Sequence, residues 1–371
     1  MKDRIGVGIV GLQPGRSWGA LAHVPALRAL ADRYEIVGVA NTSLESATAA
    51  AQALDIPRAH VSASDLVRVP EVDLVVVTVK VPHHRAIVDL ALDAGKHVYC
   101  EWPLARTLAE AEALAEAARG AANGAGVIAA AGMQACGAPV MRHVADLVKA
   151  GYVGEILSST LVGTGLNWGA EIEAVNAYTL DRENGANMLT IPLGHTMAAV
   201  TRALGPVREL SAMTATRRQQ VMVSDTGETA TMTSPDQVLV CAMLESGAPL
   251  SIHYRGGMPK GAGLSWEING TEGDLRVTGF GGHGQFVPLT LEGAKSGEEA
   301  LAPIAPPADL AVPHDISIYA DNVAAMYGFL ASDIRDGTSL VPRFDDALAL
   351  HRVCDAIERA GETGERVRVA G

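Results

Sequence analysis

The chain has 371 residues, and its 42 acidic and 29 basic side chains give a formal net charge of −13 at neutral pH. This length is typical of two domains, and an apolar fraction of 48% excludes intrinsic disorder. Because the lysines and arginines are outnumbered and form no cluster, we expect no nucleic-acid partner. The longest apolar run, Leu74 to Val79, has only the length of a strand, so we also expect no membrane span.

The start of the chain and its cysteines predict the compartment. Residues 1–4 lead directly into a strand pattern and leave no room for a signal peptide. The four cysteines show neither the spacing of a metal site nor that of a disulfide framework. We therefore predict a cytoplasmic protein that binds no metal.

Residues 1–132 alternate short apolar runs with helical patterns, such as the stretch Leu44 to Leu54. This alternation predicts a doubly wound parallel sheet, the Rossmann arrangement that binds dinucleotides. The predicted strands are Ile5 to Val10, Glu35 to Ala40, Val72 to Val79 and His97 to Cys100.

Residues 133–371 change to a period of two and are predicted to form an α+β domain with a large, mostly antiparallel sheet. The predicted strands are Ile156 to Gly163, Val207 to Thr216, Gln237 to Leu244, Leu250 to Tyr254, Ser265 to Asn269 and Leu275 to Val277. Two helices, Ile316 to Asp336 and Asp345 to Arg359, are predicted to close the chain.

A glycine-bearing turn follows the first strand and predicts a dinucleotide site, because glycine lets the backbone approach a pyrophosphate. The fingerprint is imperfect, since Gln13 stands where a second glycine is usual, and such turns also occur without a ligand. The predicted cofactor-binding residues here are Gly11, Leu12, Gln13, Ser17 and Trp18.

The second strand ends in Asn41, Thr42 and Ser43, where NAD enzymes usually offer a carboxylate to the ribose hydroxyls. These neutral groups do not repel a 2′-phosphate, so either NAD or NADP is allowed and NADP is slightly favoured. No arginine follows directly to bind that phosphate. The alternative is that Asn41 is only a turn residue or a helix cap.

Four segments carry a family resemblance: Val72 to Thr78, Ala94 to Leu104, Lys149 to Ile156 and Ile268 to Gly273. Together they resemble the glucose–fructose oxidoreductase/inositol dehydrogenase (Gfo/Idh/MocA) family over nearly the whole chain. The resemblance implies a nicotinamide cofactor held in the cleft between the two domains. It also implies that the open sheet of the second domain pairs subunits into a homodimer or homotetramer.

A closer resemblance lies within that family, to the subgroup of the fungal galactose-regulon repressor, whose members bind a dinucleotide and act as sensors. The residues that carry it are Val10 to Gln13, Trp18, His23, Pro25, Ala26, Glu101, Trp102, Asn184, Gly185 and Gly194 to Thr196.

The chain also departs from the pattern of the family's enzymes. Trp102 stands where they carry a lysine that positions or protonates the reacting oxygen. Ile191 and Ala198 replace aspartates on either side of the catalytic histidine, which is retained as His195. An indole cannot exchange a proton at neutral pH, so the usual catalytic set is incomplete.

His195 is the predicted catalytic base, although a histidine near a helix start is also often satisfied by local hydrogen bonds. Lys80 directly follows a buried strand, and burial there would allow it to replace the missing lysine; a ribose contact and an incidental role are alternatives. Tyr178 could relay a proton or hold a substrate hydroxyl, although most such tyrosines pack at loop bases.

The remaining candidates line the expected cleft. On the cofactor side they are Thr78, Val79, Lys80, His83, Glu101, Trp102 and Gln134. On the substrate side they are Trp168, Asp181 and His195. Trp168 could stack on a sugar ring, although a tryptophan in the core is the commoner outcome.

The leading hypothesis is an NAD(P)-dependent oxidoreductase acting on a sugar, polyol or related hydroxy compound. The main alternative is a catalytically silent, dinucleotide-binding regulator, which Trp102, Ile191 and Ala198 favour. A weaker alternative is a reductase of a conjugated ligand, because the family's bilin reductases also lack the lysine.

Overall fold

The computed structural model describes residues 4–310 and 316–369, which divide into two structural units. The first unit comprises residues 1–133 and 312–348, and the second comprises residues 134–311 and 349–371. The sequence analysis placed a boundary after residue 132 but assigned everything beyond it to the second domain. The two divisions differ because a late segment of the chain packs into the core of the first unit, which depends on long-range contacts.

The first unit contains a six-stranded parallel sheet in the order β3-β2-β1-β4-β5-β6. This confirms the predicted parallel sheet, of which the sequence indicated four strands. Its strands are β1 (Ile5–Val10), β2 (Tyr34–Ala40), β3 (Ala59–His60), β4 (Leu74–Val77), β5 (His97–Glu101) and β6 (Ala129–Gly132). The strand order reverses between β1 and β4. In a doubly wound sheet, the carboxyl edge at such a point is where ligands bind.

The second unit contains a nine-stranded sheet in the order β17-β16-β15-β14-β7-β13-β12-β9-β18, in which only the pair β7 and β13 is parallel. A small sheet has the order β11-β10-β8. The strands are β7 (Ile156–Thr164), β8 (Glu171–Ile172), β9 (Val207–Ala215), β10 (Gln220–Val223), β11 (Thr229–Thr231), β12 (Gln237–Leu244), β13 (Pro249–Arg255), β14 (Leu264–Gly270), β15 (Gly273–Gly279), β16 (Leu289–Lys295), β17 (Ala302–Pro303) and β18 (Val367–Arg368).

The α-helices of the described residues connect these strands. They are α1 (Val24–Ala29), α2 (Leu44–Ala53), α3 (Ala63–Leu66), α4 (His84–Asp93), α5 (Leu108–Ala125), α6 (Pro139–Lys149), α7 (Gly194–Leu204), α8 (Asp321–Asp336) and α9 (Phe344–Thr363). Two π-helical turns, Gly19–His23 and Leu189–Leu193, lead directly into α1 and α7. Such turns redirect side chains and are frequent at functional sites.

Helix α8 completes the core of the first unit. Val323, Met326, Tyr327 and Leu330 are buried in one hydrophobic cluster with residues of β1 and β4. The amphipathic pattern predicts such a helix but not the sheet against which it packs.

The described parts of the chain contain neither a membrane-spanning helix nor a cluster of metal-binding side chains. No helix there has the length and apolar character that a bilayer crossing requires. Over the same residues, histidine, cysteine, aspartate and glutamate side chains form no group of three that could hold a metal ion.

Candidate active site

The loop after β1 is a tight turn built around glycine. Gly11 adopts a φ of +98°, and a Cβ atom there would lie 2.6 Å from Cγ1 of Val79. Gly15 has a φ of +71° and no heavy atom within 4 Å of its Cβ position, so its backbone faces open space. Backbone of this kind can approach a phosphate closely, so the turn fits a pyrophosphate although Gln13 replaces a glycine.

Asn41 holds this turn against the end of β2. Its Oδ1 accepts a hydrogen bond from the Leu12 N–H at 3.0 Å, and its Nδ2 donates to the Leu12 carbonyl at 2.9 Å. Nδ2 also donates to the Ser46 carbonyl at 3.1 Å. Asn41 is therefore bonded to the main chain, as the alternative role of a turn residue requires. Thr42 and Ser43 are exposed, and Ser43 caps α2.

Ser17 and Trp18 join the turn to the first helix. The Ser17 hydroxyl oxygen accepts hydrogen bonds from the N–H groups of Gln13 at 2.9 Å and Ala20 at 3.3 Å. Its own proton is still able to donate, so Ser17 can bind an anionic group. Trp18 is half-buried, and its ring meets the Tyr319 ring edge-on with centroids 6.1 Å apart.

Thr78 and Lys80 follow β4 at the carboxyl edge of the sheet. The Thr78 hydroxyl lies 3.1 Å from the carbonyl oxygens of both Val10 and Gly11, to which it can donate. Lys80 is exposed, so the burial on which its catalytic alternative depended is not found, whereas a ribose contact and an incidental role both fit. The apolar strand ends at Val77, and the chain turns outward beyond it.

The two adjacent histidines differ in their surroundings. His83 is exposed, whereas His84 is buried, with Nε2 at 2.9 Å from the Val79 carbonyl and Nδ1 at 3.3 Å from the Leu104 carbonyl. Burial lowers the pKa of His84 below its usual value. His84, which the sequence analysis did not select, ties the end of β4 to the segment after β5.

Glu101 ends β5 and is followed by Trp102, which is buried. Val77 of β4 pairs with Cys100 of β5, so Thr78 and Glu101 occupy neighbouring positions at the carboxyl edge.

Glu101 belongs to a buried chain of polar groups. Its Oε1 lies 3.0 Å from Nε2 of His23, and Nδ1 of His23 lies 2.7 Å from the Tyr327 hydroxyl. The sequence analysis noted His23 only as part of a resemblance and did not select Tyr327. No local pattern points to Tyr327, because it lies 304 positions beyond His23 in the chain.

Within the first unit, the predicted cofactor residues that meet at one edge are thus Gly11, Leu12, Asn41, Thr78 and Glu101. The close glycine turn, the open backbone at Gly15 and the Ser17 hydroxyl together fit a nicotinamide dinucleotide. No carboxylate stands at Asn41, Thr42 or Ser43, so the fit does not select between NAD and NADP.

His195 lies on the first turn of α7 in the second unit, and it is buried. Its Nδ1 atom has no hydrogen-bond partner among the residues that the structure describes. Burial, with a smaller contribution from nearby His283, lowers the pKa of His195 to about 3, so the ring is unprotonated at neutral pH.

His283 is a buried histidine that the sequence analysis missed. Its Nε2 lies 2.6 Å from the Gly165 carbonyl, and its Nδ1 lies 2.9 Å from Nε2 of Gln285. A carbonyl only accepts and an amide nitrogen only donates, so the proton of the neutral His283 ring is on Nε2. Burial lowers the pKa of His283 to about 4. The Gly-Gly-His-Gly run at 281–284 is the only local signal for this loop.

Thr196 fastens that loop to α7. Its hydroxyl donates to the Gly282 carbonyl at 3.0 Å, and the Tyr254 hydroxyl donates to the same carbonyl at 3.0 Å. A Cβ atom at Gly282 would lie 2.6 Å from the Thr164 backbone, so only glycine allows this approach. His283 is in this way held beside the helix that carries His195.

Trp168 is buried, as a core tryptophan would be. Its Nε1 donates to the Thr179 carbonyl at 3.1 Å, and its ring is stacked on His283 with centroids 6.4 Å apart. Within the second unit, His283 therefore lies near both Trp168 and His195, two residues that the sequence analysis selected separately.

The other predicted residues of the second unit are placed as follows. Tyr178 is half-buried, and burial raises its pKa to about 12. Asp181 is exposed and caps a short 3₁₀ turn through the Glu183 N–H at 3.1 Å. Gln134 is fully buried in a 3₁₀ turn.

Comparison with known proteins decides the family. Residues 5–128 match the model of an oxidoreductase family with an NAD-binding Rossmann fold, and residues 139–279 match the C-terminal domain of Gal80p. The dehydrogenase aclE of Aspergillus oryzae is 31% identical, over 98% of this chain and 98% of its own length. The chain belongs to the Gfo/Idh/MocA family. The resemblance stated from the sequence is thereby confirmed.

This family member is also similar to regulatory proteins. The galactose/lactose metabolism regulatory protein GAL80 of Kluyveromyces lactis is 30% identical over 77% of this chain and 66% of its own length. The crystal structure of a super-repressor mutant of Gal80p from Saccharomyces cerevisiae matches with a TM-score of 0.88 at 24% identity, covering 98% of this chain and 97% of that chain. The structural likeness shows a shared fold, and the relatives include both a dehydrogenase and regulators.

Proposed function

We propose that this protein is an NAD(P)-dependent dehydrogenase or reductase that acts on a CH–OH group of a sugar, polyol or related hydroxy compound. The observation that carries the proposal is His195, which is buried and whose Nδ1 has no partner in the described part of the chain. Burying a polar atom without a hydrogen-bond partner costs about 1–3 kcal/mol of folding stability. A protein tolerates this cost where a bound ligand supplies the missing partner. A dehydrogenase relative similar over nearly the whole chain supports the same function.

The residues of the site have separate roles in this proposal. A bound nicotinamide supplies the acceptor or donor of hydride. Ser17 donates a hydrogen bond to the pyrophosphate, and the neutral His195 ring hydrogen-bonds the substrate. Tyr178 remains protonated at neutral pH, because burial raises its pKa to about 12, and donates a hydrogen bond to the reacting oxygen. Lys80 supplies positive charge, and Trp168 and Asp181 remain the proposed substrate contacts.

The proposal includes a cofactor preference. Thr42 and Ser43 are exposed beyond β2 and are uncharged, so nothing at these positions repels a 2′-phosphate. We expect NADP to bind at least as tightly as NAD.

The second candidate function is that of a dinucleotide-binding regulator without catalysis. Trp102 favours it, because this buried indole occupies the position of the lysine that the family's enzymes use. The similarity to the Kluyveromyces lactis regulatory protein supports the same alternative.

The first prediction separates the two functions. Absorbance at 340 nm is followed with each oxidised and reduced cofactor against a panel of aldoses, polyols and keto acids, and cofactor fluorescence reports binding. We expect turnover, and we expect His195→Ala to reduce kcat by about 10²–10⁴-fold with little change in cofactor affinity. His143→Ala is the matched control, because His143 is a half-buried histidine on α6 outside the site.

Tight cofactor binding without turnover on any substrate would contradict the proposed dehydrogenase and favour the second candidate function, the regulator. NAD binding about tenfold tighter than NADP would overturn the proposed cofactor preference.

A homo-oligomer is proposed as well. On one face of the nine-stranded sheet, Met213, Leu239, His253 and Val162 occupy neighbouring register positions on β9, β12, β13 and β7. The three aliphatic side chains are 66%, 40% and 37% exposed, respectively, and their row forms an apolar strip on the open face of the sheet. Such a strip is typical of a surface that is covered by another subunit.

A further inference from the structure

Oxidation of an alcohol releases a proton, and the residues assigned so far leave its acceptor open. His195 retains a proton poorly at neutral pH, because burial lowers its pKa to about 3. Tyr178 is already protonated, because its pKa is raised to about 12. Trp102 has no basic atom at all.

We propose that Glu101 and His23 form a proton-holding pair, oriented by Tyr327, that takes up the proton which the substrate hydroxyl loses. This inference rests on the proposed function, since it assigns a further role within the same reaction.

The geometry of the three groups matches that role. The His23 side chain is fully buried, while that of Glu101 is 11% exposed, so the pair is reached through the carboxylate. Glu101 Oε1 lies 3.0 Å from His23 Nε2, and the Tyr327 hydroxyl lies 2.7 Å from His23 Nδ1. Glu101 stands beside Thr78 at the carboxyl edge of the sheet, where the proposed cofactor site lies.

Three separate elements hold the pair rigidly. His23 is the last residue of the π-helical turn that follows the glycine turn, Glu101 ends β5, and Tyr327 lies on α8. The His23 ring meets the rings of Tyr99 and Tyr327 edge-on, with centroids 5.5 Å and 5.7 Å apart. The Tyr34 hydroxyl donates to the Tyr327 carbonyl at 2.8 Å and fixes α8 at this point.

Charge explains why the pair can take up one proton. With His23 neutral, Nε2–H donates to the Glu101 carboxylate, Nδ1 accepts from Tyr327, and the pair has a net charge of about −1. One added proton makes it neutral overall, which a buried site favours. The Tyr327 hydroxyl can either donate to Nδ1 or accept from Nδ1–H, so it accommodates the ring in both states.

The titratable groups that face the pair do not compete for this proton. Burial raises the pKa of Tyr34, Tyr327 and Cys100 above their usual values, so these groups stay protonated and neutral. His84 stays unprotonated, because burial lowers its pKa. Tyr99 also lies against the ring. Among the residues that the structure describes, the titratable side chains named here as facing the pair are Tyr34, Tyr99, Tyr327, Cys100 and His84.

The step balances in atoms and charge. When the substrate is oxidised, its C–H bond breaks, and the hydrogen with its electron pair would pass as hydride to a bound nicotinamide. The O–H bond of the substrate hydroxyl also breaks. The hydroxyl proton goes to the Glu101 carboxylate, and a carbonyl group forms. The pair then releases the proton to solvent through the exposed edge of Glu101.

The decisive variant is Glu101→Gln, since the amide has the shape and neutrality of the protonated acid and preserves a hydrogen bond to His23. Infrared spectra of the cofactor-free protein between about pH 5 and pH 9 detect a protonated buried carboxyl group directly. We expect a proton-dependent change in the carboxyl or imidazole bands of the pair as the pH falls. This change should be missing in Glu101→Gln and present in Glu116→Gln, an exposed control on α5.

Calorimetry provides a second readout. The positive charge of an oxidised nicotinamide favours the charged pair, so binding of the oxidised cofactor should release protons, measured from binding heats in two buffers of different ionisation enthalpy. Glu101→Gln should abolish this release of protons, whatever its effect on the cofactor affinity, because the release is measured per mole of cofactor bound. Tyr327→Phe, which retains both members of the pair, should shift the pH of half-maximal release.

The outcomes separate this inference from the proposed function. If neither the carboxyl nor the imidazole bands of the pair change at any pH, or if proton release is unchanged in Glu101→Gln, the pair is overturned. Absence of cofactor binding overturns the proposed function instead, while the infrared titration still decides whether the pair holds a proton.

Discussion

At the scale of single residues, buried histidines make the stability of the fold sensitive to acid. Burial lowers the pKa of His195 to about 3 and that of His283 to about 4, whereas an unfolded histidine titrates near its usual value of 6.5. At pH values between these folded and unfolded pKa values, the unfolded chain binds more protons than the folded one. The free energy of unfolding therefore falls as the pH decreases from about 6.5 toward 4, and this contribution is fully present only above about 6.5.

The second prediction tests this linkage with His195→Gln. Removing one such group should reduce the slope of unfolding free energy against pH by about 1.4 kcal/mol per pH unit between about pH 4 and pH 6. Urea unfolding at a series of pH values measures the slope. His143→Gln, on the outer part of α6, should leave it unchanged, and an equal slope in both variants would contradict the burial of His195.

At the scale of elements, the turn between β1 and the first π-helical turn depends on close packing. Gly11→Ala should destabilise the protein by about 1–3 kcal/mol and abolish cofactor binding, because φ is +98° and the new Cβ would meet Val79 at 2.6 Å. Gly126→Ala is the matched control, since this helix cap has a φ of +67° but open space around it.

The control variant should lose about 1 kcal/mol and bind cofactor normally. Thermal unfolding and cofactor fluorescence measure both effects. Equal loss of binding in the two variants would show that backbone strain, rather than the approach to Val79, decides the site.

At the scale of the whole molecule, the apolar strip of the nine-stranded sheet predicts self-association. Leu239→Lys should dissociate the oligomer to monomers, because a lysine in the middle of the strip must be desolvated for the faces to pair. Light scattering after size exclusion measures the mass. Leu44→Lys, at a leucine on α2 that is 56% exposed, should leave the oligomer intact. If the wild-type protein is a monomer in solution, the proposed homo-oligomer is wrong.

Much of the fold was predictable because its signals are local. The buried run Leu74 to Val79 indicated a central parallel strand, and the glycine turn after β1 indicated a ligand site, since both depend on neighbours in sequence. Strand β16 was missed, although the glycine-rich segment 280–288 before it carries a turn signal. Helix α8 begins at Asp321 rather than at Ile316.

The residues of the site were harder to judge from patterns. The sequence placed Asn41 at the end of the second strand, near the turn. It did not decide whether the Asn41 amide binds the Leu12 main chain, as the structure shows, or faces a ligand. The sequence left Lys80 open between a buried catalytic position, a ribose contact and an incidental role, and the structure shows that its side chain is exposed. Side-chain direction at the end of a strand depends on the turn that follows, which composition does not reveal.

By itself, the sequence determined the fold class, the position of the glycine turn and the membership of the family, since each depends on spacings within short segments. Only the tertiary structure decided which distant groups meet. His23 meets Glu101 across 78 positions and Tyr327 across 304, and His283 is bound to Gly165 across 118. Such contacts depend on strand register and helix packing, which the whole chain establishes together.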